Sequence, residues 1–148
     1  MPLLALEGIR VLEVTDGIAG PYCAKMLADL GAEVMKIERL DAVSMTQRQW
    51  AGERVETSLT VEDTALFLHL NTNKKSVAVD LESADGQNLF RKLATQSSIV
   101  VESLAPGRME SLGLSYNSLK DLNPSLVMTS VTPYGQTGPY KNYQYTEL

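Results

Sequence analysis

The stretch Gly8–Glu38, GIRVLEVTDGIAGPYCAKMLADLGAEVMKIE, decides the fold. Gly8 to Val14 alternates into a short strand. The loop Thr15-Asp16-Gly17-Ile18-Ala19-Gly20-Pro21 is rich in residues that permit tight turns. Pro21 suits the first turn of a helix, where its missing N–H leaves no hydrogen bond unmade. The run Tyr22 to Leu30 carries that helix, and Gly31 is placed to end it in a left-handed cap. Ala32 to Glu38 is a second strand. Strand, short helix and strand so close together predict a right-handed βαβ unit with a parallel pair.

The alternation continues outward from this unit. Lys75 to Asp80 reads as a strand, and Ser83 is placed to cap a helix from about Ala84 to Thr95. Ser98 to Glu102 is another strand. After Ser103-Leu104-Ala105-Pro106-Gly107, a helical turn over Arg108 to Leu112 closes at Gly113. Ser115 caps a helix to Leu122, and Asn123-Pro124 breaks it. Leu126 to Val131 reads as a fifth strand. The expected fold is therefore α/β and Rossmann-like, a mostly parallel sheet with helices on both faces.

Four loops are expected to converge on the carboxyl edge of that sheet, where open α/β sheets bind ligands. They are Thr15–Pro21, the segment from Arg39 onward, Ser103–Gly107 and Thr132–Tyr140. The piece from Leu40 to about Ala65 has weak periodicity, and a loop that long is often a lid or binding loop. Eight residues beyond Tyr140 the sequence ends with no predicted helix over the fifth strand, so a fold incomplete at its C-terminus is expected.

Composition narrows the class. The 148 residues are 44% hydrophobic and 21% charged, as in an ordinary soluble domain with its own core. No apolar run reaches the roughly 18 residues of a membrane span, and the amino terminus lacks the features of a signal peptide. Lone Cys23 cannot form an internal disulfide, which fits a cytoplasmic location; on a predicted helix it reads as a small core residue. The net charge of -5 disfavours nucleic acid as a partner. Basic residues nevertheless cluster as Lys36 with Arg39, Lys74 with Lys75, and Arg91 with Lys92.

The first loop admits two bottom-up readings. Glycines ahead of a helix N-terminus let backbone N–H groups approach a phosphate; the same residues also make a ligand-free tight turn. Glu38 sits where a dinucleotide site places its ribose-binding acid, but Gly17 and Gly20 do not reproduce the G-x-G-x-x-G spacing. His69, the single histidine, lies in the apolar run Ala65–Leu70 and reads as a packed structural residue. With no second histidine, a metal site or a serine–histidine arrangement has little support. Lys74-Lys75 reads equally as an anion contact or a solvated pair, and Trp50 reads as a loop anchor.

Six segments in order resemble the class III coenzyme A transferases, a family that includes formyl-CoA and carnitine CoA transferases and the α-methylacyl-CoA racemases. They are LEGIRVLEVT, AGPYCAKMLADLGAEVMKIER, LHLNTNKKSVAVDL, VVESLAPGRMESLGLSY, LNPSLVMTSVTPYGQTGPY and YTEL. Family members are considerably longer, so residues 1–148 resemble their amino-terminal, CoA-binding region. The resemblance implies that Asp16, Gly17, Ile18 and Ala19 line the pantetheine and phosphate path. It implies that Arg39 lies near the nucleotide phosphates, where a guanidinium fork suits phosphate oxygens. Asn71, Asn73, Lys74 and Lys75 match an N-x-N-K-x-S segment near the nucleotide. The Ser103–Met109 loop, with Ser103 and Met109 as candidates, matches the adenine segment, although the family usually shows Asn-Phe-x-Pro-Gly there.

In the transferases a carboxylate just beyond G-x-x-G-P-Y attacks the acyl-CoA thioester, and CoA then passes to another carboxylic acid. The matching position is Glu147, where the family normally has Asp. The racemase branch carries His before that acid; Thr146 stands there, so a racemase is the weaker implication. The expectation is a CoA transferase using acyl-CoA and a carboxylic acid, without metal. A non-catalytic CoA-binding module is the alternative, and an NAD-dependent enzyme a weaker one. The resemblance also implies an interlocked homodimer.

Overall fold

The computed structural model describes residues 4–38 and 65–143. Arg39, Trp50, Thr146 and Glu147, and most of the Leu40–Ala65 stretch, lie outside the described residues. Strands β1 (Arg10–Val14), β2 (Glu33–Glu38), β3 (Lys74–Ala78), β4 (Ile99–Glu102) and β5 (Val127–Ser130) form one sheet in the order β3-β2-β1-β4-β5. Every neighbouring pair is parallel. Among the described residues the helices are α1 (Ala19–Asp29), α2 (Ala65–Asn71), α3 (Ala84–Thr95), α4 (Arg108–Ser111) and α5 (Tyr116–Leu122).

From β1 the chain winds one way to β2 and β3, then crosses to the other side for β4 and β5. That order makes the β1/β4 junction a topological switch point. Strand alternation divides the core between two faces. Val11, Val34 and Val101 pack with Ala24 and Ala28 of α1. Leu12, Val14, Ile37 and Val100 pack with Phe90 of α3, Met109 and Leu112 around α4, and Leu119 of α5. Helices therefore cover both faces, as the alternation predicts.

Local signals explain the element ends. Gly31 closes α1 with φ of 103°, its N–H bonded to Ala28 O. Ser83 caps α3 by accepting from Gly86 N, and Ser115 caps α5 by accepting from Ser118 N. The Asn123 side chain then donates to Ala94 O and Ser97 O, tying the end of α5 to the end of α3.

The structure corrects two readings. Ala65–Asn71 is a helix packed beside α1, not an unassigned apolar run. Its first six residues, ALFLHL, are apolar at all but one position, which hides helical periodicity. His69 is exposed rather than packed, with its ring stacked 6.3 Å from that of Tyr22. Cys23 is half-buried against the α1 core, in keeping with a structural role. Among the described residues no helix is long and apolar enough to cross a membrane.

Candidate functional site

At the switch point the loops after β1 and β4 are joined by one side chain. Ser103 Oγ accepts from Asp16 N at 2.8 Å and donates to Asp16 O at 3.0 Å. Ser103 N also donates to Val14 O, extending the β1/β4 pairing by one bond. Gly17 follows with φ of 78°, and α1 begins at Ala19. The chain therefore turns from strand to helix within four residues, placing Asp16, Gly17, Ile18 and Ala19 at the carboxyl edge of the sheet.

A second tie brings in the loop after β5. Gln136 donates to Glu102 Oε1 at 3.2 Å and accepts from Gly107 N at 3.3 Å. The other Glu102 oxygen accepts from Leu104 N. Beside this tie lies an open groove of about 190 Å³ lined by Glu102, Met109, Tyr116, Met128, Ser130 and Gln136. Three of the four loops expected to converge are thus linked in series; the fourth, from Arg39 onward, lies outside the described residues. Met109 is buried in the α3/α5 core and meets the groove from below.

The basic clusters resolve into separate arrangements. Lys36 and Lys74 both face α1 and share the carboxylate of Glu13, which is fully buried. Lys36 Nζ lies 2.9 Å from Oε1. Lys74 Nζ stands 2.8 Å from Oε2 without the angle of a hydrogen bond. Burial holds the Lys74 ammonium below its ordinary range, and the Glu13 carboxylate opposes that shift. Lys74 is therefore neither a solvated residue nor an open anion contact. Arg91, on α3, donates to Asn88 and to Gly113 O.

Asn73 and Lys75 stand at the opposite end of the sheet from Asp16–Ala19. Lys75 is the second residue of β3 and pairs with Glu33, the first residue of β2. Asn73 occupies a left-handed turn (φ 64°), which Asn tolerates, and donates to Asp29 at the end of α1. The Asn71 amide donates to Phe67 O, while its oxygen is buried without a hydrogen-bond partner among the described residues. The structure thus groups Asp16–Ala19 with Ser103 and Met109, and sets Asn73 and Lys75 apart. Three residues of this edge were not predicted: Glu13, Glu102 and Gln136. Glu13 and Lys36 did carry a signal, each being the one charge at an inward position of a buried strand.

Among the described residues no group of three or more His, Cys, Asp and Glu side chains could hold a metal ion. What the edge offers is the backbone ahead of α1, held by Ser103, and the groove along Glu102, Met109 and Gln136. That defines a doubly wound α/β protein with its topological switch point between β1 and β4. The CoA-transferase family III model matches residues 6–146, and the chain belongs to that family.

Over 134 residues the chain is 40% identical to the succinyl-CoA:glutarate CoA-transferase of Mus musculus, covering 90% of this chain and 29% of that protein. It is 43% identical over 139 residues to the succinyl-CoA–L-malate CoA-transferase alpha subunit of Chloroflexus aurantiacus, covering 93% and 31%. The crystal structure of the hypothetical protein Rv3272 from Mycobacterium tuberculosis superposes with a TM-score of 0.83 at 34% identity, covering 99% of this chain and 38% of that one. The chain thus spans only about a third of the length of these relatives.

Proposed function

We propose that this chain is the CoA-binding α/β region of a CoA transferase that moves coenzyme A between an acyl-CoA and a carboxylic acid. The observation that carries the reading is the pair of hydrogen bonds between Ser103 Oγ and the Asp16 backbone, one accepted from its N–H and one donated to its carbonyl. It sets the backbone of Asp16–Ala19 at the switch point, where a thioester with a phosphorylated tail can approach the start of α1. Asp16, Gly17, Ile18 and Ala19 line the path, Ser103 and the Met109 groove flank it, and Arg39 meets a phosphate. The proposal does not lean on Asn73 or Lys75, which stand at the far end of the sheet.

Glu147 is the proposed nucleophile. Its carboxylate attacks the thioester carbonyl and expels CoA thiolate, leaving a mixed anhydride. The thiolate then attacks the Glu147 carbonyl, releasing the first acid and forming an enzyme-bound thioester. The acceptor acid repeats the sequence in reverse, so no water or redox partner is consumed. Developing oxyanions need donors nearby. The chemistry needs only a cytoplasmic pool of acyl-CoA and acid; the working form is an interlocked homodimer.

The change from the usual Asp to Glu147 favours one second reading, a CoA-binding module that no longer reacts. Hydroxylamine trapping with acyl-CoA separates the two. A transferase yields a hydroxamate at Glu147 that is lost in Glu147→Gln, and CoA binding without any trapped adduct supports the module.

A further inference from the structure

Three neighbouring strands each contribute one charged side chain to a cluster beneath the first turn of α1: Glu13, Lys36 and Lys74. One carboxylate faces two ammonium groups, so ion pairing with Glu13 does not exhaust what the lysines can do. Each ammonium has a second acceptor, and in both cases it is a backbone carbonyl. Lys36 Nζ donates to Thr15 O at 3.2 Å, and Lys74 Nζ donates to Pro21 O at 2.8 Å. Those two carbonyls bracket the loop that carries Asp16–Gly20. Glu13 adds a direct hold, because Oε1 accepts from Thr15 Oγ1 at 2.6 Å.

We propose that Glu13, Lys36 and Lys74 are positioning residues for the Thr15–Pro21 loop. Glu13 fixes both ammonium groups, and each ammonium fastens one end of the loop to the sheet. Lysines meant to meet an anionic ligand directly would keep their ammonium groups open to the crevice. These point inward instead, with side chains 10% and 2% exposed. The ligand-facing backbone is thereby set before a ligand arrives, which lowers the ordering cost of binding. Desolvated charges are worth burying only with full partners, and this arrangement partners every charge twice or more.

The ligand arm of the test rests on the CoA reading; the loop arm does not. Amide hydrogen exchange and CoA titration would be run on the wild type, Glu13→Gln, Lys36→Met, Lys74→Met and a control, Phe90→Leu. Phe90 lies in the core on the opposite face, so its variant reports general loss of stability. Glu13→Gln is expected to raise exchange at Asp16–Gly20 about tenfold or more relative to α3 amides, and to weaken CoA binding by a similar factor. Each lysine variant is expected to do so more weakly, and Phe90→Leu to leave the ratio unchanged. Loop exchange at the wild-type ratio in folded Glu13→Gln would overturn the proposal. If Glu13→Gln does not fold, the same result in both lysine variants would overturn it. A wild type that fails to bind CoA removes the CoA reading, and the exchange ratios then decide this inference alone.

Discussion

Ser103 Oγ sits between the two backbone polar groups of Asp16, accepting from its N–H at 2.8 Å and donating to its carbonyl at 3.0 Å. A hydroxyl has one proton and two lone pairs, so this contact uses its donor and one acceptor site. Replacing it with Ser103→Ala removes both bonds in a half-buried setting. The expected cost is about 1–2 kcal/mol in urea unfolding, together with weaker CoA binding because Asp16–Ala19 loses its anchor. Unchanged affinity in the folded variant would separate the loop from the ligand.

Glu13 is the sole anion of a buried three-member cluster, so its loss should outweigh the loss of either cation. Glu13→Gln leaves two buried ammonium groups without a counter-charge and is expected to cost about 3–5 kcal/mol. Lys74→Met leaves Glu13 with Lys36 and Thr15 and should cost clearly less. Denaturant midpoints at constant slope would show the order, and the reverse order would contradict the account of the cluster.

Gly20 lies in the first turn of α1, where alanine normally stabilises by up to about 1 kcal/mol. Here an added Cβ would stand 2.7 Å from Thr15 Cβ, 2.8 Å from Thr15 Cγ2 and 3.3 Å from Ser103 Cβ. Overpacking of this kind costs about 1–3 kcal/mol, so the clash wins and Gly20→Ala should be net destabilising. Thermal unfolding would check the sign.

The Asp29 carboxyl is held below its ordinary 3.8, first by the hydrogen bond from Lys25 and then by that from Asn73. A depressed carboxylate stabilises the folded state above its unfolded pKa, and the gain disappears as pH falls through the lower folded value. Asp29→Asn should therefore reduce stability at neutral pH while flattening its decline below pH 3.8. Parallel acid titrations of unfolding would reveal the difference in slope.

Much of the fold is legible in local chemistry. Ser83 and Ser115 announce their helices because a hydroxyl cap acts within three residues, and Gly31 ends α1 for an equally local reason. Helix α2 is hidden because ALFLHL shows no polar side to set a period. The candidate site divides in the same way. The loop Asp16–Ala19 can be found from its turn residues and the helix that follows. The Glu13–Lys36–Lys74 cluster cannot, because it depends on the register of three strands, which pairs Glu13 with Lys36 and Val34 with Lys74. Lys74 and Lys75 look alike in sequence and differ only in the face each presents.

The most direct test of the central claim is calorimetric titration of the protein with coenzyme A. The account predicts saturable binding of one CoA per chain, with Kd in the roughly 1 μM–1 mM range usual for enzyme substrates, weakened in Ser103→Ala and Glu13→Gln. Absence of binding to the folded wild type at millimolar CoA would contradict it.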